Sequence, residues 1–156
     1  SFIAAVDPNA GARERAKRLG ADLVIDPNEQ SAAQAIKEAT GEGVDLAIDF
    51  VGANAVLKQA VSSLAINGRA IITGVSGERI QLGPSVTFAV FRTTLRGIMG
   101  YTRAHLERVI ALVATGRLDL SGSISARLPL DDAAEGVQML IEKRNDPVRV
   151  LLDCAT

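Results

Sequence analysis

The chain has 156 residues, 47% of them hydrophobic and 22% charged, a composition that fits one globular domain and excludes a disordered segment. Its 17 basic and 18 acidic residues leave a net charge of −1, and 3% are aromatic with no Trp, so neither electrostatics nor base stacking points to nucleic acid or an anionic membrane. One cysteine, Cys154, and one histidine, His105, supply neither a disulfide framework nor the three or four ligands of a zinc site.

Read along the chain, short apolar runs alternate with helical patterns. Phe2 to Val6 predicts a strand that ends at Asp7, and Ala10 to Leu19 a helix stopped by Gly20. Leu23 to Ile25 is the next strand, closed by Asp26-Pro27, and Ser31 to Ala39 an alanine-rich helix. Val44 to Val51 predicts a strand ending at Gly52, and Ala53 to Leu64 carries apolar residues at helical spacing. Ala70 to Ile72 is a strand closed by Thr73-Gly74; Pro84 can open a short helix after the loop that follows.

Thr94 to Met99 predicts a further strand. Thr102 can cap a helix whose face carries Leu106, Val109, Ile110 and Val113, ended by Gly116. Ile124 to Leu128 is a strand, Asp131 can cap a helix bearing Val137, Leu140 and Ile141, and Val148 to Leu152 is the last strand. These strands are nearly continuous Val/Ile/Leu/Ala runs, as expected when both faces of a parallel sheet are covered by helices. No apolar run reaches the roughly 18 residues of a membrane span. The N-terminus reads as a strand, not a signal peptide, and the composition suits a cytoplasmic protein. No linker or repeat is evident, so one domain is expected.

In such sheets ligands bind at the carboxyl ends of the strands. Asp7, after the first strand, can accept both hydroxyl hydrogens of an adenosine ribose and would repel a 2′-phosphate, or it can cap the following helix. Gly52 and Gly74 each follow a strand, where a missing side chain admits a flat ring or sugar, or simply makes a turn. Gly97 and Gly100 bracket Ile98-Met99 in the same way. Arg149, at the entry to the last strand, can reach a pyrophosphate or lie solvated. The 14 glycines form no Gly-x-Gly-x-x-Gly loop. No serine lies in a nucleophile elbow, and His105 reads as a helix-start residue and Cys154 as a small apolar filler, so no catalytic and no metal-binding residue is assigned.

In order, the stretches FIAAVDPN, RAKRLGADLVIDP, GEGVDLAIDFVG, LAINGRAIITGVSG, LRGIMG, HLERVIALVATGRLDL, ARLPLDDAAEGVQML and DPVRVLLD resemble the zinc-type medium-chain alcohol dehydrogenase family, over essentially the whole chain. The resemblance implies a Rossmann-like α/β fold, a parallel sheet with helices on both faces that lacks the first strand and glycine loop. It implies that residues 1–156 are a truncated coenzyme domain without the N-terminal catalytic domain, inactive alone.

The family then implies roles. Asp7 is similar to the acidic residue on the adenosine ribose, which favours NAD. Val51 and Gly52 resemble the segment beside the cofactor, and Gly74 and Val75 the backbone that meets the nicotinamide carboxamide. Ile98, Met99 and Gly100 resemble the stretch near the nicotinamide end, and Arg149 a pyrophosphate contact. The parent would act on a small alcohol or carbonyl compound, pair into homodimers or homotetramers through segments like Thr94 to Met99, and take zinc only through the N-terminal domain. A zinc-free quinone or enoyl reductase of the same superfamily, or a non-enzymatic nucleotide-sensing or interaction module, are the alternatives. In the strand order 3-2-1-4-5-6 the absent strand is central, so an interrupted sheet is expected between the Phe2 strand and the Val44 strand.

Overall fold

The computed structural model describes residues 1–154 and divides into two compact units, Ser1–Met99 and Gly100–Thr156. The first unit begins with β1 (Ala4–Val6) and β2 (Leu23–Ile25), parallel and in register from Ala4 opposite Leu23 to Val6 opposite Ile25. Between them runs α1 (Ala10–Arg18), started by the Asn9 side chain, which accepts the Ala12 N–H at 2.9 Å. After β2 comes α2 (Ala32–Thr40), capped by Ser31. Ile25, Ala32 and Ile36 are buried together, with Ala4, Leu23, Ala35 and Val44 packed around them.

The same unit holds a second parallel sheet, in the order β3 (Val44–Asp49), β4 (Leu64–Ile72), β5 (Thr94–Gly97). Two helices join these strands, α3 (Asn54–Ser62) and α4 (Ser85–Phe91). Leu57 on α3 is buried, as are Leu64, Ala65 and Ala70 on β4. Among the described residues no ladder joins β1 to β3, an interruption at the place the strand order predicts.

The second unit contains α5 (Arg103–Ala114), β6 (Ala126–Pro129), α6 (Ala133–Ile141) and β7 (Val150–Asp153), with β6 and β7 parallel. Thr102 caps α5 as expected, and His105 returns the bond: Thr102 Oγ1 accepts the His105 N–H while His105 Nδ1 accepts the Thr102 N–H, both at 3.3 Å. Among the described residues no helix is long and apolar enough to cross a membrane.

Several boundaries depart from the expected ones, for physical reasons. The strand expected to run to Val51 stops at Asp49, because the Asp49 carboxylate accepts the Val51 and Gly52 N–H groups and turns the chain. Strand β4 starts at Leu64, not Ala70: Val44 pairs with Leu64, the register shifts, and Leu46 pairs with Arg69. The intervening Asn67 adopts a left-handed backbone (φ 65) at this irregularity. The Ile124 strand begins at Ala126, after a one-turn 3-10 helix at Ser121–Ser123. Asp131 does not cap α6; a 3-10 turn at Leu130–Asp132 leads into the helix, and Asp132 holds the cap position without a side-chain bond.

Candidate functional site

Parallel strands end together on one side of a sheet, and the residues that follow them are free of the ladder and able to face a ligand. At the end of β1, the Asp7 N–H still donates to the Ile25 carbonyl at 3.2 Å, so its position is fixed by the ladder. Its Oδ1 accepts the Asn9 N–H at 2.8 Å, an Asx turn. The helix cap belongs to Asn9, not Asp7. Oδ2 of the half-buried Asp7 therefore takes no hydrogen bond among the described residues and remains an acceptor for a ligand hydroxyl.

The sharpest geometry lies at the ends of β3 and β4. The Asp49 carbonyl accepts three donors from the next strand: the Thr73 N–H (2.8 Å), the Gly74 N–H (3.0 Å) and Thr73 Oγ1 (2.9 Å). Its carboxylate, 2% exposed, accepts the Val51 N–H at 2.8 Å and the Gly52 N–H at 3.1 Å. One residue thus ties the turn after β3 to the turn after β4. The two turns touch through backbone alone. A Cβ on Gly52 would fall 2.7 Å from the Gly74 carbonyl carbon and 2.8 Å from the Val75 nitrogen; one on Gly74 would collide with Val51 and the Gly52 nitrogen. Gly52 also has φ +82, a left-handed backbone that glycine adopts without strain.

A strap of loop then crosses the start of α3. Ser76 Oγ donates to the Gly52 carbonyl at 2.7 Å, Glu78 Oε2 accepts the Asn54 N–H at 2.9 Å, and Asn54 Oδ1 accepts the Gln81 N–H at 2.7 Å. Ala53, at the cap position of α3, offers no side-chain acceptor, and the Glu78 carboxylate fills that role from 24 residues away. At β5 the ladder extends one residue further, with the Ile98 N–H on the Ile72 carbonyl at 3.0 Å; Met99 is 92% exposed.

Of the sequence-predicted residues, Val51, Gly52, Gly74 and Val75 form one junction, and Asp7, Ile98 and Met99 stand at other strand ends of the same unit. Gly100 and Arg149 belong to the second unit, where Arg149 Nη1 donates to Ser123 Oγ at 3.0 Å. Asp49, Glu78 and Arg13 were not singled out by the sequence. Only Asp49 had a usable signal, an acidic residue closing an apolar strand three positions before a glycine. The site offers a carboxylate acceptor, a close-packed glycine junction and strand-end backbone; among the described residues no three His, Cys, Asp or Glu side chains stand close enough to hold a metal ion.

The family model for zinc-binding dehydrogenase matches residues 2–115. The chain is similar to (R,R)-butanediol dehydrogenase of Bacillus subtilis, 30% identical over 96% of this chain and 43% of that protein. Among solved structures it superimposes on an alcohol dehydrogenase from Thermus sp. ATN1, with a TM-score of 0.90 and 30% identity over 97% of this chain and 43% of that one. A Sinorhizobium meliloti structure assigned as a zinc-binding dehydrogenase and bound to NADP gives a TM-score of 0.86 and 25% identity, over 99% of this chain and 45% of that one. The chain thus spans less than half the length of the relatives it matches.

Proposed function

The chain belongs to the zinc-binding dehydrogenase family, and from that premise we propose that it is the coenzyme-binding part of an NAD-dependent alcohol dehydrogenase, which moves a hydride between an alcohol carbon and a nicotinamide ring. The observation that carries the reading is the pair of tight turns at the carboxyl ends of two adjacent parallel strands, where the Gly52 and Gly74 backbones pack directly on each other. Ligands of parallel sheets bind at these strand ends, and the close backbone contact holds both turns in place there.

In this reading Asp7 Oδ2 accepts a ribose hydroxyl. The Val51-Gly52 and Gly74-Val75 backbones flank the nicotinamide end, with Ile98 and Met99 near it. Asp49 holds the flanking turns in place by accepting from five donor groups. When bound, the nicotinamide supplies the acceptor for the hydride, and the alcohol loses a hydride and a proton to become a carbonyl compound. The residues of this chain bind and orient the coenzyme and exclude water; none is assigned a proton transfer. No zinc ligand is assigned either. Among the described residues no strand pairs with the outer edge of β5, which supports pairing between copies of the protein.

The NADP-bound relative keeps both dinucleotides in view. Asp7 favours NAD, because a carboxylate beside a 2′-phosphate repels it. Calorimetric titration of the protein at the length its gene encodes tests the reading. NAD is expected to bind more tightly than NADP, and Asp7→Ala to weaken NAD by about tenfold, the loss of one charged acceptor. Binding of neither dinucleotide would refute it.

A further inference from the structure

Asp7 and Asp26 close two paired strands side by side, since Val6 stands opposite Ile25. Between them lies the Arg13 guanidinium. Its Nη1 donates to the Asp7 carbonyl at 2.8 Å and the Pro8 carbonyl at 2.9 Å, and pairs with Asp26 Oδ2 at 2.8 Å. The pair is largely enclosed, the side chains 19% and 12% exposed. Enclosure distinguishes it from a surface ion pair, which water and salt would weaken.

This geometry does two things to Asp7. It fixes the main chain on which the Asp7 carboxylate is mounted, and it holds a cation within hydrogen-bonding distance of the Asp7 backbone while directing that cation toward Asp26. A 2′-phosphate at this ribose would need a cation to offset the Asp7 carboxylate. Arg13 carries that charge and reaches this turn, but its Nη1 already serves three oxygens.

We propose that Arg13 is a positioning residue for the ribose site, and that Asp26 sets dinucleotide choice by withholding Arg13 from a 2′-phosphate. The proposal rests on the reading of Asp7 as the ribose acceptor. It assigns specificity to Asp26, a residue on the neighbouring strand end that need not touch the coenzyme.

The test is dissociation constants for NAD and NADP on the encoded-length protein and three variants. Asp26→Asn keeps the side-chain shape and removes the charge that holds Arg13. It is expected to lower the NADP-to-NAD ratio of dissociation constants by about tenfold, the effect of one charge-assisted contact. Arg13→Met is expected to weaken NAD several-fold without helping NADP, because the Asp7 turn loses its clamp. The double variant D26N/R13M is expected to lose the NADP gain, identifying Arg13 as the cation responsible. A purely structural pair would weaken both dinucleotides equally in Asp26→Asn and leave the ratio unchanged, which overturns the proposal, as does a double variant that keeps the NADP gain. Failure of the wild-type protein to bind either dinucleotide rejects the ribose reading itself, an outcome distinct from normal NAD binding with an unmoved ratio.

Discussion

The two compact units differ in what they enclose. Every buried apolar side chain of the described residues lies in the first: Ala21, Ile25, Ala32, Ile36, Leu57, Leu64, Ala65 and Ala70. Among the described residues of the second, only Gly136 is buried. Its helices leave Leu106, Val109, Ile110, Val137, Leu140 and Ile141 substantially exposed, and its sheet has two strands. Both units carry well-formed helices, so local sequence preference is satisfied in each. What separates them is tertiary burial, which supplies most of a helix's stability in a folded protein. The strand-end geometry of the candidate site is built in the unit that has a core.

The largest effect should come from the place where that unit tolerates no added atom. Gly74→Ala puts a Cβ into the Val51–Gly52 backbone, with no flexible side chain to yield. A cost of about 4 kcal/mol is expected, at the upper end for single substitutions. Urea unfolding followed by a probe in the first unit measures it. A loss below about 1 kcal/mol, within the range of ordinary surface changes, would mean that the two turns are not in contact.

A matched pair of truncations then measures the contrast directly. Leu57 is 1% exposed and Leu106 is 45% exposed. Leu57→Ala is expected to cost about 3 kcal/mol and Leu106→Ala less than about 1 kcal/mol, since only the first leaves a cavity. Equal costs in chemical denaturation would break the comparison between the units.

Asp49→Ala comes next, at about 2 kcal/mol, because the Val51 and Gly52 N–H groups lose their acceptor but lie near enough to solvent to recruit water in part. It should also raise the amide exchange rates of Val51 and Gly52 more than those of Thr73 and Gly74, whose acceptor is the Asp49 main-chain carbonyl and survives the substitution. Uniform acceleration of all four would assign Asp49 to general stability instead of to the turn.

The same residues show what a sequence can and cannot disclose here. Asp7, Gly52 and Gly74 were legible because each ends an apolar run, and a run of that kind has a visible stop. Asp49 closes an apolar strand in the same way, but its role in tying two turns together was not legible, since that depends on the neighbouring strand. The contact of Gly52 with Gly74 joins residues far apart in sequence and depends on β3 and β4 being neighbours, a fact of topology. Glu78 capping α3 is equally non-local. The early start of β4 at Leu64 was hidden by Asn67 and Gly68, which are turn residues by type and lie inside the strand by pairing. Local chemistry was readable; chemistry shared between strands was not.

The smallest prediction concerns the second unit, where surface polar contacts stand in for a core. Arg144 pairs with Glu135 at 2.9 Å and Glu142 at 2.8 Å, and the Glu135 hydrogen bond is the main cause of its raised pKa. Asp119 lies at the entry to the 3-10 turn, where the Ser121 hydroxyl first, and then the Ser121 N–H at 2.8 Å, hold its carboxyl below the ordinary aspartate range. A carboxyl whose pKa is lowered on folding contributes stability above its unfolded pKa. That contribution is lost as pH falls through the lowered value. The carbon chemical shifts of the Asp119 carboxyl should therefore titrate below those of an unstructured aspartate. In Ser121→Ala the midpoint should move partway back up, because the hydroxyl goes and the N–H remains. The thermal midpoint at neutral pH should scarcely change, since Asp119 is fully solvated. A large drop in that midpoint would show that the second unit depends on this turn far more than its exposure suggests, and would blur the line drawn between the two units.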